Sequence, residues 1–254
     1  MNTFAMSKYT ISSAFSQTFR FPIWKIEVDE HSKLLAIECR DPETTLPYIT
    51  VMGFDGTIKL DHYLLPEKEW TLAAIQKEVV VLRKVSENSP VSPGVWVLNH
   101  EIPNTDFLFH QYQYIGILNG YIQIRPQHIT SGFEQYFSLV SNQISTRIDS
   151  EIKPFDNNIV FPLEFNGQKP VFLLHYKNED LWISKSGPNF LWSFHEKQDE
   201  KYNIRLLISN KNEILDEAMI IRNLELKLVQ IYFQIGCQIF LLTHNKREFV
   251  SYLV

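Results

Sequence analysis

The stretch "YITVMGFDGTIKL", residues 48–60, decides the fold class. An apolar run with β-branched side chains meets Asp55-Gly56 and then turns apolar again through "TIKLDHYLL". Aspartate and glycine tolerate the positive φ of a tight turn, so this pair between two such runs is a hairpin signal. Two more strand-like segments precede it, "PIWKIEVD" and "KLLAIECRD". Together they make a unit of four short strands.

The unit recurs. "WTLAAIQ" and "EVVVLRKV" lead to "GVWVLNHEIPNTDFLFH", where Asn99 to Asp106 separates two apolar runs. "YQYIGIL" and "YIQIRP" lead to "FEQYFSLVSNQISTRI", with its turn at Ser141-Asn142. A fourth turn falls at Asn210-Lys211-Asn212, and a fifth at His244-Asn245-Lys246. The first three turns are spaced by about the length of one four-stranded propeller blade. The fourth unit is enlarged by "NNIVFPLEFNGQKPVFLLHYKNED".

Two segments compete with this pattern. Residues 66–84 and 211–233 carry enough Ala, Glu, Lys and Leu to pass for helices. The Val79-Val80-Val81 run argues for strands in the first, and the repeat context argues for strands in the second. The expectation is an all-β, propeller-like array of about five four-stranded antiparallel blades. Paired β-sandwiches, or a split barrel with one or two helices, are the alternative. Residues 1–20 read as an N-terminal arm and 21–254 as a single domain, with "SENSPVSPG" (86–94) as a loop inside the second blade. Closure of a ring by an N-terminal strand would pair "IWKIEV" with the final hairpin.

The 254 residues are 44% hydrophobic and 21% charged, with a formal charge of −5. That suits a globular protein, and it lacks the basic footprint that nucleic acid or an anionic membrane demands. The N-terminal stretch has no apolar signal region, and no stretch reaches the length of a membrane span. Cys39 and Cys237 each sit in an apolar segment and read as two buried thiols in a reducing compartment, with a disulfide between them as the alternative if their strands lie close together. The expectation is a soluble, cytoplasmic protein.

Four stretches carry a resemblance: "LLAIECRDPETT", "EKEWTLAAI", "LWSFHEKQDEKYNIRLLIS" and "QIYFQIGCQIFLLTHNKREFVSYLV". From about Phe21 to Val254 the chain resembles an uncharacterised bacterial domain-of-unknown-function family, whose sequences look like degenerate quinoprotein-type repeat propellers. The middle hairpins of such propellers often carry an aspartate, a glycine and a closing tryptophan, and "FDGTIKLD" lacks the tryptophan. The resemblance implies a propeller fold and brings no known activity. Quinoprotein dehydrogenases as a class often use a vicinal disulfide, and this chain has no adjacent cysteines. No cofactor and no metal are expected.

No phosphate-binding loop, zinc-protease motif, nucleophile elbow or dinucleotide fingerprint is present. His100 and His110 flank one proposed hairpin and read as a cross-strand surface pair without a third metal ligand. His244 reads as a solvated turn residue. His195 beside Glu196 has the makings of a tuned base, yet neighbours on a strand point to opposite faces. Arg40 and Asp41 at a strand end read as a loop-fixing pair or turn cap, and more sharply as a ligand site. Glu69 and Trp70 stand at the entry to the second blade, where Trp70 reads as packing.

The candidate pocket is therefore Arg40, Asp41, Glu69, Trp70, His195 and Glu196, with no catalytic residue assigned. The expected function is non-enzymatic interaction or ligand recognition, through loops 41–48, 86–94, 126–132 and 186–200. The partner is a protein or small molecule, with no nucleic acid and no membrane. A hydrolase-like small-molecule enzyme with an axial pocket is the alternative, and assembly through an exposed blade edge is a third reading.

Overall fold

The computed structural model describes residues 10–85, 94–102, 105–149, 151–176 and 180–254. The chain is all-β, an array of five antiparallel sheets of four or five strands with the blade-like meander expected of the repeat. Among the described residues the only helical element is a 3-10 turn, Val171–Leu173. No helix among them is long and apolar enough to cross a membrane.

In chain order the strands begin with β1 (Ser12–Thr18), which belongs to the last sheet. The first sheet runs β2 (Ile23–Asp29), β3 (Leu34–Arg40), β4 (Pro47–Gly53) and β5 (Ile58–Leu64). The second runs β6 (Trp70–Gln76), β7 (Val79–Lys84), β8 (Val95–Asn99) and β9 (Phe107–Phe109). The third runs β10 (Tyr112–Leu118), β11 (Tyr121–Pro126), β12 (Gln135–Ser138) and β13 (Ile144–Ser145). After β14 (Ile159–Val160), the fourth takes β15 (Leu163–Glu164), β16 (Trp182–Ser186), β17 (Asn189–Gln198), β18 (Lys201–Ser209) and β19 (Ile214–Leu224). The fifth is ordered β1, β22 (Glu248–Leu253), β21 (Gln238–Leu242), β20 (Phe233–Ile235) and β14.

The hairpin at Asp55-Gly56 joins β4 to β5 as expected. Gly56 sits at φ +86°, and the Asp55 carboxylate accepts the Thr57 N–H at 2.9 Å. Both ambiguous segments yield strands: β6 and β7 in one, β19 and the start of β20 in the other. Two details differ from the sequence reading. Ser12–Thr18, expected in an arm, pairs with β22, because Phe15 packs on Phe240 and Phe249 at ring distances of 6.4 and 5.7 Å. As expected, "IWKIEV" is the first strand of its own sheet and pairs with β3, so the strand added to the final hairpin is Ser12–Thr18. Part of the enlarged fourth unit, β14, crosses to the fifth sheet.

The chain divides into two compact units. One comprises Phe21–Asn157, with the first three sheets, and the other Met1–Arg20 with Asn158–Val254, holding the last two. Within the first unit, Ile49, Val51, Leu72, Val80 and Leu82 pack the first sheet on the second. Val81, Val95, Ile122, Ile124 and Phe137 do the same for the second and third. In the other unit, Leu206, Ile208, Tyr232, Ile239 and Leu241 join the fourth sheet to the fifth. Each fully buried side chain of this kind contributes roughly 1.5–3 kcal/mol before conformational entropy is subtracted.

Buried polar side chains add register to this apolar packing. Asp29, the last residue of β2, accepts the Lys77 N–H in the β6–β7 turn at 2.6 Å. Gln76, the last residue of β6, repeats the device one sheet on. It accepts the Gly120 N–H at 2.7 Å and donates to the Leu118 carbonyl at 3.2 Å. In the other unit Gln234 donates to the Lys185 carbonyl and accepts from Ser184, each at 2.8 Å. Turns that would leave backbone groups orphaned are thus closed by the neighbouring sheet.

Candidate functional site

The first strand of each sheet in the unit Phe21–Asn157 carries a register shift: Ile23/Lys25 in β2, Leu72/Ala74 in β6 and Tyr114/Gly116 in β10. In β2 the extra residue is Trp24. A bulge re-aims the side chain it frees from the pleat, and Trp24 ends 69% exposed. An indole of this size usually seeks burial, so its presentation at a bulge sets this surface apart.

Arg40 holds that indole. Its guanidinium carbon lies 5.5 Å from the centre of the Trp24 ring. Its Nε donates to Glu38 Oε1 at 2.7 Å, Nη1 to the Lys68 and Thr45 carbonyls at 2.9 and 3.3 Å, and Nη2 to the Trp70 carbonyl at 3.0 Å. Four of its five N–H donors are therefore used within the protein. Glu38, 0% exposed, also accepts from the Thr71 hydroxyl and the Leu72 N–H, both at 2.7 Å. Glu38 and Arg40 stand two apart on β3 and share a face.

Around this platform lies an open groove of about 550 Å³ lined by Trp24, Lys25, Arg40, Lys68, Glu69, Thr71 and Arg83, among others. Lys25 is committed, donating to the Leu72 carbonyl at 2.8 Å and pairing with Glu27 at 2.8 Å. Arg83 is not: among the described residues no ion pair or hydrogen bond from its guanidinium is found, and its Nε is buried without an acceptor. Burial raises the Glu27 carboxyl above the usual range, opposed by the charges of Lys25 and Arg83. Burial also pushes the Tyr114 hydroxyl up to about 12, with Glu27 adding to it.

Of the residues expected in a pocket, Arg40 and Glu69 both line this groove. Trp70 lies beneath the surface, packed edge-on against Trp96 at 5.6 Å. Asp41 caps its own turn, its carboxylate accepting the Glu43 N–H at 2.9 Å while Arg40 pairs with Glu38 instead.

His195 and Glu196 belong to the other unit and face opposite sides of β17. His195 is buried, with Nε2 accepting the Leu228 N–H at 3.1 Å and Tyr202 edge-on to its ring. That acceptor role places the proton on Nδ1, which is buried without a partner. Burial lowers the His195 pKa, and the charge of Lys227 lowers it further against Asp180. Glu196 is bound bidentately by Arg205, both contacts at 2.9 Å. Residues 189–198, expected within an exposed loop, are this strand.

His100 and His110 lie at opposite ends of the β8–β9 hairpin, since Val95 pairs with Phe109 and Val97 with Phe107. They form no cross-strand pair; buried His100 meets the Lys77 carbonyl at 3.1 Å. Among the described residues no group of three or more His, Cys, Asp or Glu is placed to hold a metal ion. Both cysteines are free thiols. Cys39 is buried, its pKa raised to about 12 by burial and then by Glu38, whereas Cys237 is exposed in the β20–β21 turn. The expected pair of buried thiols is half right, because Gly236-Cys237 is the turn between two strands. Of the four loops expected to present a surface, residues 86–93 lie outside the described residues.

In the second unit a cleft of about 330 Å³ gathers Ser13, Ser16, His244 and Glu248. The Ser16 hydroxyl donates to Glu248 at 3.0 Å. Among the described residues no hydrogen bond joins His244 to either serine, so no activated nucleophile is assembled there.

No protein-family model matches this chain, and no curated protein matches it. Among solved structures it is similar to the apo form of prolyl oligopeptidase B from Galerina marginata, at 12% identity and a TM-score of 0.33. That likeness covers 92% of this chain and 34% of the other. It is also similar to BBS1N in its complex with ARL6DN, at 8% identity and a TM-score of 0.26, over 90% of this chain and 64% of that one. Likenesses this loose carry nothing over to this chain.

Proposed function

We propose that this chain is a non-enzymatic recognition module that seats a small ligand in the Trp24 groove. The observation behind this reading is an exposed indole set out by a bulge and backed by Arg40, four of whose five donors are already committed. A platform rigid before its ligand arrives loses little entropy on binding. The groove volume of about 550 Å³ falls in the range of small-molecule sites. Its lining includes no histidine or cysteine, and the Thr71 hydroxyl is donated to Glu38. That set suits holding a molecule better than converting one.

The free thiols fit a reducing compartment, and we place the protein in the cytoplasm. On its sequence the repeat is read as a degenerate relative of the quinoprotein-type one. The test is a thermal-shift screen of a small-molecule library on the wild-type chain and Trp24→Ala in parallel. Compounds are expected that stabilise the wild type and lose that effect in the variant. Hits that are indifferent to Trp24, or that are turned over to product, would overturn the recognition role.

A further inference from the structure

We infer that the ligand of this groove is a planar anion, a ring bearing a carboxylate or phosphate, with the ring on Trp24 and the anionic group on Arg83. This rests on the recognition reading and adds the chemical class.

Four cations line the groove against one carboxylate, Glu69, in a chain whose formal charge is −5. The cations are not equivalent. Arg40 and Lys25 are bound to Glu38 and Glu27. Lys68 and Arg83 have no ion pair among the described residues, and Arg83 is half-buried with an orphaned Nε. A guanidinium drawn partly out of water with unused donors is costly unless an acceptor arrives. Its flat fork matches the oxygens of a carboxylate or phosphate two at a time. Glu27 does not meet this need: it lies beyond ion-pair distance of Arg83, and its paired partner is Lys25.

The ring requirement comes from Trp24. Arg40 stands over its indole, yet 69% of the residue remains open to solvent, which leaves aromatic surface for stacking. Trp24 and Arg83 line the same groove, so one small molecule can meet both.

The experiment is calorimetric titration of the full chain with phenyl phosphate, benzoate, inorganic phosphate and benzyl alcohol, at low and physiological salt. The expected result is binding of at least one anionic ring, weaker or no binding of inorganic phosphate, and none of benzyl alcohol. Arg83→Met is expected to weaken the anionic ring by about tenfold or more, as loss of a charge-assisted contact does. Arg83→Lys should recover only part, and Lys59→Gln, on the same unit but not in the groove lining, should change nothing. Arg83→Gln provides a second variant should Arg83→Met melt early. Binding of phenyl phosphate alone identifies a phosphate ligand, benzoate alone a carboxylate, and either supports the inference. Anion binding unaffected by Arg83→Met overturns it. So does Trp24-dependent binding of benzyl alcohol without anions, which leaves the recognition reading standing. Failure of every probe together with an empty library screen overturns both.

Discussion

The guanidinium of Arg40 lies 5.5 Å from the centre of the Trp24 ring while its Nε is tied to Glu38 at 2.7 Å. The first contact supports an exposed aromatic surface, and the second fixes the support. Glu38 is buried, so the pair couples the core of the first sheet to the mouth of the groove.

Removing the partly exposed guanidinium leaves the buried Glu38 carboxylate without its counter-charge. Arg40→Met should therefore destabilise the protein by about 3–5 kcal/mol, read as a lower midpoint in urea unfolding. Arg40→Lys should recover only a fraction, since an ammonium cannot reach Glu38 and the carbonyls of Lys68 and Trp70 together. Equal stability of the methionine variant and the wild type would remove the coupling.

Gln76 closes the Asn119-Gly120 turn of the next sheet. Gln76→Leu keeps the bulk but strips the Gly120 N–H of its acceptor and the Leu118 carbonyl of a donor. A cost of about 1–3 kcal/mol is expected, with faster amide exchange at Gly120 as its local signature. Unchanged exchange there would show that the turn stands without help.

The Asp55-Gly56 hairpin has its own test. Gly56 holds φ +86°, so Gly56→Ala is expected to cost about 1–2 kcal/mol through backbone strain alone. Gly56→Asn should cost less, because asparagine tolerates positive φ. Thermal midpoints of the two variants decide it.

His195 predicts a pH dependence. Its folded pKa is lowered from 6.5 by burial, so just below that value the unfolded state binds the proton and the folded state does not. Stability linked to His195 is full above pH 6.5, declines as pH falls through 6.5, and levels off below the lowered folded pKa. Protonation of Nε2 would also cost the acceptor for the Leu228 N–H. His195→Gln retains an acceptor and removes the titration, so its stability profile should be flatter in that window. Superimposable profiles would assign the slope to other groups.

The blades were legible where alternation and turn chemistry agreed. "KLLAIECRD", "WTLAAIQ" and Asp55-Gly56 each fix a strand or a turn by local rules. "SSAFSQT" did not read as a strand, because its polar residues gain their place only from the phenylalanines of β21 and β22. Arg40 and Glu69 stand out in the sequence and do share a groove, while Trp24, Lys25 and Arg83 do not stand out. Trp24 sits in "PIWKIEVD", which reads as an ordinary core strand; the bulge that turns it outward depends on register against β3. Glu38 did leave a signal, since a carboxylate and Arg40 two residues apart must share one face of a strand. The idle donors of Arg83 leave none, because they follow from which neighbours fail to reach it.

The most direct measurement is the NMR spectrum of the indole N–H groups during titration with phenyl phosphate and benzoate. The chain has five tryptophans, and the Trp24 signal is identified by its loss in Trp24→Phe. That signal is expected to move and saturate in wild type and to need about tenfold or more anion in Arg83→Met, while the buried Trp70 and Trp192 signals hold their positions. A Trp24 signal that ignores both anions while the wild-type chain is folded would contradict the planar-anion assignment. Motion confined to another tryptophan would place the ligand elsewhere and contradict the groove itself.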